Sequence, residues 1–194
     1  MIQVTFRGLV QALLFCSILV LASIPRSISP GMVPPGQTER PEWTASVDPG
    51  DPATKKKLAG FIASTYRVPE PAARRIVQAA YKESVNTGLS PLLLLAVMAK
   101  ESSFQPKAQS GYGAVGLMQV VPRIHQKTVA KLKHPAGLRH PESNIQAGAG
   151  ILRAYLKGTG GNLNKALKRY SGNATNYAPR VRGYWSEFRT IAAS

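Results

Sequence analysis

The chain has 194 residues, 44% of them hydrophobic, with 25 Lys and Arg against 9 Asp and Glu for a formal net charge of +16. One globular core plus an N-terminal extension is the expectation at this length, and the cationic surface calls for a polyanionic partner, with nucleic acid, anionic lipid and the carboxylate-rich bacterial cell wall all qualifying. The single cysteine, Cys16, excludes an internal disulfide or a cysteine metal site.

Residues 1–23 read as an export signal. Arg7 supplies positive charge, Leu9 to Leu21 supply a mostly apolar stretch broken by Gln11 and Ser17, and Val20 and Ala22 suit the positions before cleavage. The stretch is shorter than the roughly 20 residues of a spanning helix, so cleavage is expected over retention as an inner-membrane anchor. The product is exported, and periplasmic. Cys16 follows Leu13-Leu14-Phe15, which lacks the small residue of a lipoprotein-processing site, so lipid attachment is not expected. Residues 24–51 carry Pro25, Pro30, Pro34, Pro35, Pro41 and Pro49 with Gly31, Gly36 and Gly50, a composition that reads as a linker.

From residue 52 to 194 the apolar periodicity is helical nearly throughout, giving an all-α domain. Helices are expected over Thr54–Tyr66 and Pro71–Asn86, with Gly88 as a stop. A third starts at Ser90-Pro91, where serine accepts orphan amide hydrogens and proline tolerates the first turn. It is apolar on every side, which places it at the centre of the domain, and Gln105-Pro106 bounds it. Further helices are expected over Arg123–Leu132, Glu142–Lys157, Leu163–Tyr170 and Ala178–Ala192.

Glu101 sits where the eight apolar residues Leu92 to Ala99 give way to Lys100-Glu101-Ser102-Ser103-Phe104. A carboxyl at the edge of an oily helix loses hydration, which disfavours its charged form and holds its proton toward neutral pH, as a general acid requires. After this helix comes Ser110-Gly111-Tyr112-Gly113-Ala114-Val115-Gly116-Leu117-Met118-Gln119, whose three glycines within six positions let backbone approach a ligand closely or make a tight turn on the core.

On these residues the sequence resembles the soluble lytic transglycosylase catalytic domain of lysozyme-like fold, often called family 1, over about residues 85–185. Glu101-Ser102 resembles the family's catalytic pair, followed by Pro106-Lys107 and Ser110; Gly116-Leu117-Met118-Gln119 is similar to its Gly-Leu-Met-Gln motif, with Pro122 beyond. Arg169-Tyr170-Ser171-Gly172 stands where the family usually has Ala-Tyr-Asn, and Tyr177-Ala178-Pro179-Arg180-Val181 resembles its Tyr-x-x-(Arg/Lys)-Val segment.

The resemblance implies cleavage of the β-1,4 bond between N-acetylmuramic acid and N-acetylglucosamine without water, leaving a 1,6-anhydro ring, with Glu101 as acid and then base. Ser110 would contact the sugar, Gln119 would hydrogen-bond the glycan, Met118 would line the groove, and the Tyr170 hydroxyl would tune the acid. Ser102 and Gly116 would support the turn. The residues speak to the same point independently: glycoside hydrolysis ordinarily pairs two carboxylates, and beyond Asp51 only Glu70, Glu83, Glu142 and Glu187 could be a partner. Glu83, the foremost of these, reads as a solvated salt-bridge residue. A lysozyme-type hydrolase and a non-catalytic wall-binding protein stay open as alternatives.

His125, His134 and His140 lack zinc-motif spacing and read as surface residues, so no metal site is expected, and the resemblance calls for no cofactor. The partner expected is the peptidoglycan strand, met as a monomer. The small size leans toward service to a secretion, conjugation or flagellar machinery, and the export signal speaks against nucleic acid.

Overall fold

Prolines and glycines punctuate the chain into seven α-helices among residues 41–44 and 50–194, which the computed structural model describes. The expected leader and most of the expected linker lie outside those residues. α1 spans Pro52–Tyr66, opened by Asp51, whose carboxylate accepts from the Thr54 amide at 3.1 Å. α2 spans Glu70–Thr87 and ends at Gly88, whose left-handed φ of 71° lets its amide reach back to the Ser84 carbonyl at 2.8 Å. α3 spans Pro91–Ser102, with Glu101 in its last turn. Ser90 holds the N-cap position of α3 without a side-chain capping bond; its contribution is through its backbone amide, which donates to the Trp43 carbonyl at 2.7 Å.

α3 is the apolar axis expected of it. Leu93 to Ala99 are all buried, and the helix packs against α2 and against α7, Tyr177–Ala193. α5, Pro141–Gly158, packs on α2 and on α6, Leu163–Tyr170. Among the described residues, extended pairing is confined to isolated bridges, so the fold is all-α as expected.

Two expectations are corrected. The helix expected over Arg123–Leu132 shrinks to a single turn, α4, Gln126–Val129, because none of its residues is buried and Val129 and Leu132 only lean on the core. A stretch with so little apolar face gains too little from packing to extend a helix. Within the span expected as linker, Pro41–Thr44 joins the folded unit. The Trp43 ring is buried, its Nε1 donates to the Gly161 carbonyl at 2.9 Å, Thr44 bridges Leu89, and Glu42 pairs with Arg182 at 2.8 Å. Burying an indole outweighs the local Pro/Gly signal.

Candidate active site

The site is built around a hairpin loop that three helices fasten. Val115 and Val120 exchange backbone hydrogen bonds at 3.0 and 3.1 Å, closing Gly116-Leu117-Met118-Gln119 into a loop. From α3, the Ser102 hydroxyl donates to the Leu117 carbonyl at 2.8 Å. From α5, Asn144 accepts from the Met118 amide at 2.8 Å and donates to the Val115 carbonyl at 2.8 Å and the Leu138 carbonyl at 3.0 Å. From α6, the Tyr170 hydroxyl donates to the Met118 carbonyl at 2.8 Å. Asn144 is fully buried with both ends of its amide satisfied.

Gly116 is required there on two counts. Its φ is +78°, and a Cβ would come within 2.2 Å of the Asn144 amide nitrogen. Nearby, Ser103 and Phe104 carry the chain out of α3 with left-handed φ values of 48° and 60°. Such backbone costs about 1–3 kcal/mol per residue and persists where the surroundings fix it. The Phe104 ring is fully buried edge-to-face against Tyr66 and Phe188, with centroids 4.8 and 6.0 Å away, which holds the turn after Glu101 in place.

This framework walls a cleft of about 370 Å³ that Glu101 enters from one side. Tyr155, Tyr170 and Tyr177 form an aromatic series in it, Tyr155 edge-on to Tyr170 at 6.5 Å and Tyr170 stacked on Tyr177 at 6.4 Å. The Tyr177 hydroxyl donates to Glu101 Oε1. Burial pushes the Glu101 carboxyl above the usual carboxylate range, against the opposing pull of that hydroxyl and of the Lys100 ammonium. The Tyr177 hydroxyl is held well above its ordinary value by burial and then by the Glu101 charge, so it stays a donor. Among the described residues lining the cleft, Glu101 is the one carboxylate.

The sequence-derived residues divide accordingly. Glu101, Ser110, Gln119 and Tyr170 line the cleft, and Ser102 and Gly116 hold the loop beneath it. Met118, expected to line the groove, is fully buried and packs its sulfur against Gly148 of α5. Tyr170 does not hydrogen-bond the acid, because its hydroxyl is committed to Met118; Tyr177 makes that bond instead. Gln119 lines the cleft and spends its amide hydrogens on the Ala108 and Gly116 carbonyls at 3.2 and 2.9 Å. Arg169 and Ser171, the departures from the usual motif, both face the cleft.

Other expectations also change. Glu83 is 6% exposed and takes a hydrogen bond from Asn86 at 3.1 Å rather than standing solvated in an ion pair. His125 is half-buried in the cleft wall edge-on to Tyr155, and desolvation lowers its pKa. His134 and His140 stack on each other at 3.7 Å. Among the described residues no cluster of three metal-ligating side chains occurs.

The Transglycosylase SLT domain model matches residues 78–182, which contain every residue lining the cleft. The chain belongs to the SLT transglycosylase domain family. The family carries with it the lysozyme-like helical class expected from the motifs. Two relatives, each called membrane-bound lytic murein transglycosylase C, come from Yersinia pestis (strain Pestoides F) and Yersinia pseudotuberculosis serotype O:1b (strain IP 31758). Each is 42% identical over 98 residues, covering 46% of this chain and 27% of the relative. The SLT chain thus spans about a quarter of the length of the curated relatives it matches. Among solved structures, a lytic transglycosylase Slt from Pseudomonas aeruginosa is similar with a TM-score of 0.45 and 27% identity, covering 59% of this chain and 21% of that one.

Two members of the site were not singled out as functional in the sequence. Tyr177 is the first residue of the Tyr-x-x-(Arg/Lys)-Val segment, and Asn144 carries no functional signal in the sequence alone. Both act across the fold, 76 positions from Glu101 and 26 from Met118 respectively.

Proposed function

We propose that this chain is an exported peptidoglycan lytic transglycosylase, cleaving the bond between N-acetylmuramic acid and N-acetylglucosamine without water. Glu101 donates its proton to the glycosidic oxygen, the C1–O bond breaks, and the carboxylate so formed faces the oxocarbenium-like centre. The C6 hydroxyl of the same muramyl ring attacks C1 and returns its proton to Glu101. The products are a new N-acetylglucosamine end and a 1,6-anhydro ring, and the acid is regenerated.

The observation that carries this reading is a desolvated carboxyl, tuned by Tyr177, standing as the cleft's single carboxylate among the described residues. A two-carboxylate hydrolase places its second group about 5–10 Å across the scissile bond, and Glu83, the foremost sequence candidate, lines a separate hollow. The names of the Yersinia relatives, lytic murein transglycosylases, support the same substrate and reaction class. The Lys100 and Arg169 side chains at the cleft suit a substrate whose peptide stems carry carboxylates. The work would be done in the periplasm, on the export signal read at residues 1–23.

The test is a Glu101→Gln variant incubated with purified peptidoglycan. Soluble muropeptide release falls by a factor of about 10² or more, the loss expected on removing a general acid, while sedimentation with the insoluble wall is retained. Undiminished release would remove Glu101 from the chemistry.

A further inference from the structure

Among the described residues three large hydrophobic side chains are markedly exposed, Val85, Tyr112 and Ile124, and two of them, Tyr112 and Ile124, belong to the wall of the Glu101 cleft. Tyr112 is 63% exposed and Ile124 is 54% exposed. Apolar surface left in water costs free energy, so its presence twice in the wall of one cleft points to something that covers it there.

The local backbone is organised to present Tyr112. Ser110 closes the turn with three groups: its amide donates to the Ala114 carbonyl at 3.0 Å, its carbonyl accepts from the Gly113 amide at 2.9 Å, and its hydroxyl oxygen accepts from the Ala114 amide at 3.0 Å. Tyr112 stands at the tip, between Gly111 and a Gly113 with φ of +86°. One side of its ring is then taken by Arg123, whose guanidinium carbon lies 3.9 Å from the ring centroid and whose Nη2 reaches the Tyr112 carbonyl at 3.5 Å. A cation held over an aromatic face restrains the ring and favours one orientation. The opposite ring face is left without an aromatic or cationic neighbour among the described residues.

We propose that Tyr112, braced by Arg123 and sharing the cleft wall with Ile124, is a stacking platform for a sugar ring of the glycan strand at the cleft, a specificity-determining position separate from the acid. A hexosamine offers a face of axial C–H bonds that packs on an aromatic ring, while its hydroxyls and N-acetyl group stay wet; a flat, rigid, half-exposed tyrosine fits that mixed character. The platform rests on the glycan-cleaving reading in its choice of ligand. The ring lies in the cleft wall, so its contribution belongs to binding, and the reaction barrier beyond the bound complex is set elsewhere.

The experiment uses the full chain carrying Glu101→Gln, so that the ligand survives, and an N-acetylglucosamine tetramer titrated calorimetrically. Tyr112→Ala weakens binding about two- to thirteenfold, the range given by a stacking contact of about 0.5–1.5 kcal/mol. Tyr112→Phe stays within about twofold of the parent, and Arg123→Ala falls between the two. In the chain with Glu101 intact, Tyr112→Ala raises KM for peptidoglycan more than it lowers kcat, and its thermal midpoint stays at the parent value because the ring is exposed. The proposal is overturned by equal affinity of Tyr112→Ala and the parent, by a loss as large for Phe as for Ala, or by no binding of the tetramer to the parent. Failure of the glycan-cleaving reading shows separately, as an absence of peptidoglycan turnover by the unaltered chain.

Discussion

Burial raises the Glu101 carboxyl above its ordinary range, and Tyr177 tempers that rise. Its hydroxyl donates to the carboxylate and so favours the charged form, working against the desolvation that favours the proton. On the proposed mechanism protonated Glu101 is the acid, so activity is expected to fall as pH rises through its pKa. Tyr177→Phe removes the donor, raises that pKa further, and moves the alkaline limb of kcat/KM to higher pH. The maximal rate falls by about ten- to a hundredfold, since a hydrogen bond to a charged group is worth about 1.5–3 kcal/mol and the carboxylate must form during the reaction. A pH–rate profile of the variant checks this, and an alkaline limb that stays put or moves down would contradict it. Glu101 was legible from sequence because its signal is local, an acid at the edge of an apolar run. Its hydroxyl partner was not, because α3 and α7 must first pack before Tyr177 comes near. The sequence motif pointed to a tyrosine at the acid, and the fold supplies Tyr177 where the reading had chosen Tyr170.

At the level of elements, the Gly-Leu-Met-Gln hairpin is held by Ser102, Asn144 and Tyr170 from three different helices. Asn144 is the keystone, since its loss strands the Met118 amide and the Leu138 carbonyl in the interior, while the Val115 carbonyl keeps the Val120 amide. Each buried group so orphaned costs about 1–3 kcal/mol, and partial relaxation leaves an expected loss of about 3 kcal/mol for Asn144→Ala. Urea unfolding measures it as a lower midpoint at unchanged slope. A loss below about 1 kcal/mol would mean that the loop is held by other contacts. The helices with continuous apolar faces, α2, α3, α5 and α6, were readable to within a residue or two because periodicity and Gly/Pro punctuation are properties of the chain itself. α4 was over-read: polar and apolar residues alternate plausibly there, yet no core face receives them. Met118 was misplaced for a related reason, as its motif neighbours reach the cleft while its own side chain fills the gap beside Gly148.

Across the whole molecule, the core and the cleft share walls. α3 is buried along its length and delivers Glu101 at its end, so the group that must be desolvated is positioned by the same packing that stabilises the fold. The Pro41–Thr44 segment extends that unit further toward the N-terminus than its composition suggests, through Trp43 lodged beside Gly161 and Arg153. Single-residue composition carries no information about a docking site formed by a distant loop, which is why that anchor was missed. The net charge of +16 suits a protein that works on an anionic polymer, and the tyrosine-lined cleft suits one whose backbone is sugar. Both meet in the claim that Glu101 acts without a second carboxylate and without water. The measurement that tests it most directly is mass analysis of the muropeptides released from purified peptidoglycan. A lone acid that reclaims its proton from the C6 hydroxyl predicts muramyl ends lighter by one water, the 1,6-anhydro form; reducing ends carrying that water would contradict it.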